Sequence, residues 1–143
     1  MNSLSDVKQL IRERLVANTT VDGLVRGRVH TAHPRFTDPQ TIEMPCLIVD
    51  VINGRGQYSG GSQGFVFDLY AYDRTSDGDA DALYKAAYEA LNMERLFNAT
   101  TANGTRALSA AGYSYEVERP IVMYNSDVGA WFARGKWRGH TAG

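Results

Sequence analysis

The stretch from Gly64 to Leu96 constrains this chain more than any other. Phe65, Phe67, Leu69 and Ala71 fall on one side at a spacing of two, and Val66, Asp68, Tyr70 and Tyr72 fall on the other, the period of a pleated strand. Phe65 to Tyr72 is therefore read as a central strand. Ser76, Asp77 and Gly78 end it, Asp79 and Asp81 supply the negative charge that suits a helix N-terminus, and Ala80, Leu83, Ala87 and Leu91 recur at helical spacing. The predicted helix lies back across the strand it follows. Such a unit is a scaffold without an obvious catalytic group, so function must come from its flanks.

A chain of 143 residues, 43% hydrophobic and 22% charged, buries about two-thirds of its unfolded surface when folded. One domain spanning 1–143 is expected. A net charge of -1 provides no field to draw the whole molecule onto nucleic acid or an anionic membrane. The sequence holds no apolar run near the ~20 residues of a membrane span and no signal-peptide pattern at Met1 to Lys8, so a soluble chain made in the cytoplasm is expected. Cys46 is the only cysteine, which excludes an internal disulfide and a thiolate zinc site within one chain.

In chain order, Ser3 and Asp6 resemble a capping box, and Leu4, Val7, Ile11 and Leu15 share one helical face, predicting a helix over Leu4 to Ala17. Lys8, Arg12, Glu13 and Arg14 are read as its solvated face. Val21 to Arg26 adds a turn ending at Gly27, and Val29 to Thr31 a short strand. His33 to Pro45 contains three prolines and no usable period, and is read as a loop. Cys46 to Ile52 is an apolar strand expected antiparallel to the Phe65 strand. The glycine-rich Asn53 to Gln63 between them reads as a long mobile connection, as does Phe97 to Gly112 after the central helix.

Tyr113 to Tyr124 and Val128 to Arg138 predict a closing hairpin joined at Asn125, Ser126 and Asp127. The expected register sets Glu118 opposite Arg134, Glu116 opposite Lys136 and Ile121 opposite Trp131, with charges on one face and aromatics on the other. Pro120 removes a ladder donor and marks a bulge or an edge. The fold class that follows is α+β, a mostly antiparallel four- to five-stranded sheet with an N-terminal helix and a central helix packed on one face.

Four features bear on chemistry. Asp73, Thr75, Asp77, Gly78, Asp79 and Asp81 resemble the start of a calcium loop, but Tyr84 stands where a bidentate Glu belongs and a strand enters, so a turn with a helix cap is the better reading. The glycines of Gly54 to Gly64 lack the Gly-Lys-Ser/Thr ending and following helix of a phosphate cradle. His30 and His33 have no Cys or acidic partner nearby in sequence, and His140 lies in the tail, so no metal is expected. Arg134, Lys136 and Arg138 form a basic stripe, but both tryptophans are predicted on the opposite face, unlike a single-strand nucleic-acid binder. No cofactor and no catalytic residues are expected.

Taken together, the N-terminal helix, Gly27-Arg28-Val29, the proline-rich loop, Met44 to Val49, the Phe65 to Tyr72 strand with its alanine-rich helix, and Arg119 to Tyr124 resemble the tail-completion or tail-terminator proteins of long-tailed bacteriophages. The likeness covers nearly the whole chain. It implies a non-enzymatic virion protein at the head–tail interface, assembled in the host cytoplasm. Six copies would form a ring that caps the tail tube, ends tail polymerisation and meets the head connector or another neck protein. DNA would pass through the lumen without specific binding, and no membrane would be involved. Contacts with neighbouring copies and partners are expected on the two loops, at Arg35, Phe36, Arg55, Gln57 and Tyr58. The alternatives are another neck component, such as a head-completion or connector protein, and a small ligand- or metal-binding domain using Asp73 to Asp81.

Overall fold

The structure, a computed structural model, describes residues 4–33, 42–57, 62–92, 95–96 and 112–142. The elements in chain order are α1 (Leu4–Ala17), α2 (Thr19–Val25), β1 (Val29–His30), β2 (Cys46–Gln57), β3 (Ser62–Asp73), α3 (Asp77–Leu91), β4 (Arg95–Leu96), β5 (Gly112–Asn125) and β6 (Ala130–Ala142). Among the described residues the strands form one sheet in the order β1-β2-β3-β6-β5-β4, so the Phe65 strand is central as its alternation implies. All pairings are antiparallel except the two-residue contact of β1 with β2. The fold is the expected α+β class.

The alternation decides which face the helices cover. Phe65, Phe67, Leu69 and Ala71 are buried with Leu47, Val49, Val51, Ala133 and Trp137 against Val7, Leu10, Ile11 and Leu15 of α1, Val21 and Val25 of α2, and Leu83, Ala87 and Leu91 of α3. Each large apolar side chain buried there stabilises the fold by about 1.5–3 kcal/mol relative to exposure. Phe67 stacks between Phe65 and Trp137, at centroid distances of 5.9 and 5.8 Å. α1 has the predicted boundaries, but its charged face is not simply solvated. Arg12 Nε donates to the Val29 carbonyl at 3.1 Å, and Arg14 Nε to that of Ala90 at 3.1 Å, so both guanidinium groups anchor α1 to its neighbours. Asn18 caps α2 by accepting from the Thr20 and Val21 amides, and Arg26 ends it in the left-handed region at φ 50.

Two expectations about β-structure need correction. The ladder between β2 and β3 continues past Asn53 through Gly56↔Gly64 and Gln57↔Gln63, with register shifts between Val51, Asn53 and Gly56. Glycine, lacking Cβ, lets a strand bend through such irregularities, so part of the supposed long connection is sheet. The closing hairpin forms, but in another register: Glu116↔Trp137, Glu118↔Lys136, Ile121↔Arg134 and Tyr124↔Trp131. One extra β5 residue lies between Glu116 and Glu118 and another between Glu118 and Ile121, where Pro120 sits. The bulge at Pro120 matches its missing N–H. The bulge at Val117 turns Glu116 to the helix-covered face, while Glu118 stays on the face of Lys136 and Arg134. The turn occupies Ser126 to Gly129, with Gly129 at φ 68, where a side chain would be strained. Residues 97–111, the second predicted connection, lie outside the described residues.

Candidate functional site

Apart from the apolar cluster at one end, the sheet face turned away from the helices is built of rows that run across the strands. One row is Asp50, Asp68, Lys136 and Glu118, each directly opposite the next. The row beside it is Ile48, Tyr70, Arg134 and Ile121, and beyond that come Cys46, Tyr72, Phe132 and Met123. Like charges directly opposite are destabilising, so a basic partner beside Asp50 and Asp68 relieves the pair. His33 Nε2 lies 3.4 Å from Asp50 Oδ2, and Arg134 Nη2 lies 2.9 Å from Asp68 Oδ2. This supplies the acidic neighbour that local spacing around His33 does not reveal.

Asp68 is the unusual member. Its side chain is only 4% exposed, Arg134 holds one oxygen, and the buried Oδ1 has no hydrogen-bond partner among the described residues. The carboxylate borders a cleft of about 120 Å³ shared with Glu118, Arg119, Ile121, Arg134 and Lys136. Arg134 also lies over the Tyr70 ring, 5.6 Å from its centroid, a geometry that contributes about 0.5–1 kcal/mol at an exposed site. The hydrogen bond to Asp68, with Tyr70 and the Asp68 charge, raises the Arg134 pKa. Burial raises that of Tyr70, partly offset by Arg134. His33 meets the same ring edge-on at 4.8 Å.

At the end of this face near the hairpin turn, Cys46, Ile48, Tyr72, Val128 and Ala130 form a second apolar cluster, with Phe132 stacked 5.2 Å from Tyr72. Arg74 fastens it by donating to the carbonyls of Val128 at 2.6 Å and Ile42 at 3.0 Å. Burial pushes the Cys46 thiol up to about 11, so it is protonated and unreactive at neutral pH. Beside this cluster the surface turns apolar but exposed: Ile121 is 65%, Met123 52% and Tyr124 52% exposed.

Behind the sheet, the Val117 bulge creates a buried polar relay. Tyr84 Oη donates to Glu116 Oε2 at 2.6 Å and accepts from Trp137 Nε1 at 3.0 Å. Burial and the bond to Glu116 push the Tyr84 pKa far up, so the phenol stays protonated. Ser114 Oγ donates to the Leu91 carbonyl at 2.7 Å and the Glu116 amide donates to Asn92 Oδ1 at 3.2 Å, pinning the end of α3 to β5. Pro120 is the sequence signal for irregular pairing nearby; nothing local in sequence marks Tyr84 as the partner of Glu116.

The turn after β3 is a turn and helix cap: Asp73 accepts from the Thr75 amide, Ser76 Oγ from that of Asp79, and Asp77 from that of Gly78. Among the described residues, no group of three His, Cys, Asp or Glu is placed to hold a metal ion. His140 lies away from the other two histidines in sequence and stacks on Tyr115 at 6.3 Å. The basic stripe lies on the open face and Trp137 on the covered face as predicted, but Tyr70 and Phe132 bring aromatic rings to the basic side. Of the expected contact residues, Arg35, Phe36 and Tyr58 lie outside the described residues, and Arg55 and Gln57 are described only as backbone of β2.

No family model matches the chain, and no curated protein matches it. Among solved structures it resembles a chain of "Virion of native gene transfer agent (GTA) particle", with 14% identity, a TM-score of 0.68, and coverage of 97% of this chain and 96% of that one. The two chains share a fold over essentially their whole lengths. Among the described residues, no helix is long and apolar enough to cross a membrane.

Proposed function

We propose that this protein is a structural, non-catalytic virion component acting as one domain over 1–143, and that copies of it form a ring, taken as six, capping the end of a phage tail tube. The observation that carries the reading is the end-to-end likeness to a chain of a gene transfer agent virion. It agrees with the chain-wide resemblance to tail-terminator proteins. In this role the ring ends tube polymerisation and joins the tail to the head connector or a neighbouring neck protein. DNA passes through its lumen without specific binding, which the chain's net charge of -1 permits. The segments holding Arg35 and Phe36, and Arg55, Gln57 and Tyr58, are the proposed contacts with tube, connector or adjacent copies.

Native mass measurement and negative-stain imaging test this, with the protein alone over a concentration series and then mixed with tail tubes. A closed ring, or a cap at one tube end, is the expected outcome. Binding to isolated head connectors but never to tubes would move the protein to another neck position. A monomer that ignores both would overturn the reading.

A further inference from the structure

The sheet ends in two edges that the described residues leave unpaired. β1 covers β2 only at Leu47 and Ile48, so the outer edge of β2 from Val49 onward, on the side away from β3, has no strand beside it among the described residues. β4 and the Asn92 bridge cover β5 only at Gly112, Tyr113 and Ser114, which leaves Val117 to Asn125 open in the same sense. Both edges expose apolar side chains: Ile52 is 57% exposed on β2, and Ile121, Val122, Met123 and Tyr124 are 65%, 37%, 52% and 52% exposed on β5. An open edge carrying apolar residues is a template for another strand.

The topology identifies which strand fits. From β2 through β3 and β6 to β5 every pairing is antiparallel, so β2 and β5 themselves run in opposite directions. Copies related by a simple rotation, set side by side, therefore bring the β5 edge of one against the β2 edge of the next in antiparallel sense. The contact joins unlike surfaces and leaves the pair with one free edge of each kind, the arrangement that closes into a ring when the rotation between copies closes. Beyond the bulges, Ile121 to Asn125 pairs regularly with β6. Setting Ile121 opposite Ile52 then places Tyr124 opposite Val49, which just clears the positions held by β1.

We propose that β5 of one copy and β2 of a second copy of this chain pair edge to edge through Ile121 to Tyr124 and Val49 to Ile52, so that the sheet continues from copy to copy. This rests on the ring reading above and names its contact. The test uses the full chain with Ile121→Lys and Ile52→Lys, both exposed positions, with circular dichroism confirming that each variant folds. Each single variant is expected to weaken self-association by about ten-fold or more, because a charge then faces an apolar edge. A mixture of the two is expected to form a dimer that grows no further, since each variant keeps the edge the other lacks. Where wild type assembles only on tail tubes, the same variants are scored for tube capping, with neither expected to complete a cap. A wild-type ring whose two variants also form rings overturns the edge contact and leaves the ring reading standing. Loss of assembly in Ile121→Lys alone indicates a like-to-like β5 contact and also overturns it. A wild-type chain that stays monomeric with and without tubes overturns both.

Discussion

The two faces of the sheet solve the same burial problem differently. On the covered face shape decides: Phe65, Phe67 and Trp137 stack, and β6 carries glycine at positions 135 and 139 because the Tyr84 and Phe65 rings stand over them. On the open face charge decides: two carboxylates are set opposite each other, and each has a basic side chain from elsewhere beside it, His33 at Asp50 and Arg134 at Asp68. A close-packed face responds steeply to added volume, whereas a partly hydrated charged face responds to unpaired charge and is buffered by solvent.

The largest expected effect is on the covered face. A Cβ at residue 135 would overlap the Tyr84 hydroxyl and ring, so Gly135→Ala is expected to destabilise the fold by about 3 kcal/mol in chemical denaturation, the upper range for overpacking. Tyr84→Ala placed in the same chain should make the glycine substitution nearly silent, because the obstructing ring is gone. Additive losses in the double variant would show that Gly135 is needed for backbone reasons instead, and would break the contrast between the faces.

Next in size is the relay within that face. Tyr84→Phe keeps the ring but leaves the Trp137 indole N–H and Glu116 without their shared hydroxyl. The expected loss is about 1–3 kcal/mol, the cost of an unsatisfied buried polar group. An unchanged denaturation midpoint would mean that water replaces the hydroxyl and that this face is less dry than its packing implies.

The open face should respond less. Arg134 is 54% exposed, so its pairing with Asp68 is partly screened by solvent, and Arg134→Ala is expected to cost only about 1 kcal/mol. Asp68→Asn in the Arg134→Ala background should recover much of that loss, because the burden is the unpaired buried carboxylate rather than the missing contact. If Arg134→Ala proves as damaging as Gly135→Ala, Asp68 is effectively in a dry interior and the distinction between the faces fails.

Much of the covered face was legible in sequence because period and burial coincide there. Phe65, Phe67, Leu69 and Ala71, Val7, Ile11 and Leu15 of α1, and Ala80, Leu83, Ala87 and Leu91 all point where their spacing says. The open face was legible only in part. Placing Arg134, Lys136 and Arg138 together required only alternation, but their partners depended on register: the turn closes on Asn125↔Ala130, which sets Ile121 opposite Arg134 instead of Trp131, and two bulges in β5 then change the offset again at Glu118↔Lys136 and Glu116↔Trp137. Pro120 announces one bulge; Val117 announces nothing, so the turn of Glu116 toward Tyr84 could not be foreseen. The meeting of His33 with Asp50 and Tyr70 joins residues far apart in the chain, and no local pattern encodes it.

The smallest expected effect concerns His30 on β1, at the margin between the two faces. Burial, with the Arg12 charge, lowers its pKa below the ordinary 6.5. The unfolded chain therefore takes up this proton at a higher pH than the folded chain does, and between the two values the unfolded state binds more protons. His30 is neutral in both states above that window, so its contribution to stability is fully present there and is lost as pH falls through it. A slight fall in Tm on going from pH 7.5 to 5.5 is expected, and His30→Gln should flatten the part of that slope due to this residue. Comparing the two chains at each pH cancels the carboxylates and His33, which both contain. A slope that persists unchanged in His30→Gln would place the proton elsewhere, and one of the opposite sign would mean that the imidazole is favoured as a cation beside Arg12, against both burial and the neighbouring charge.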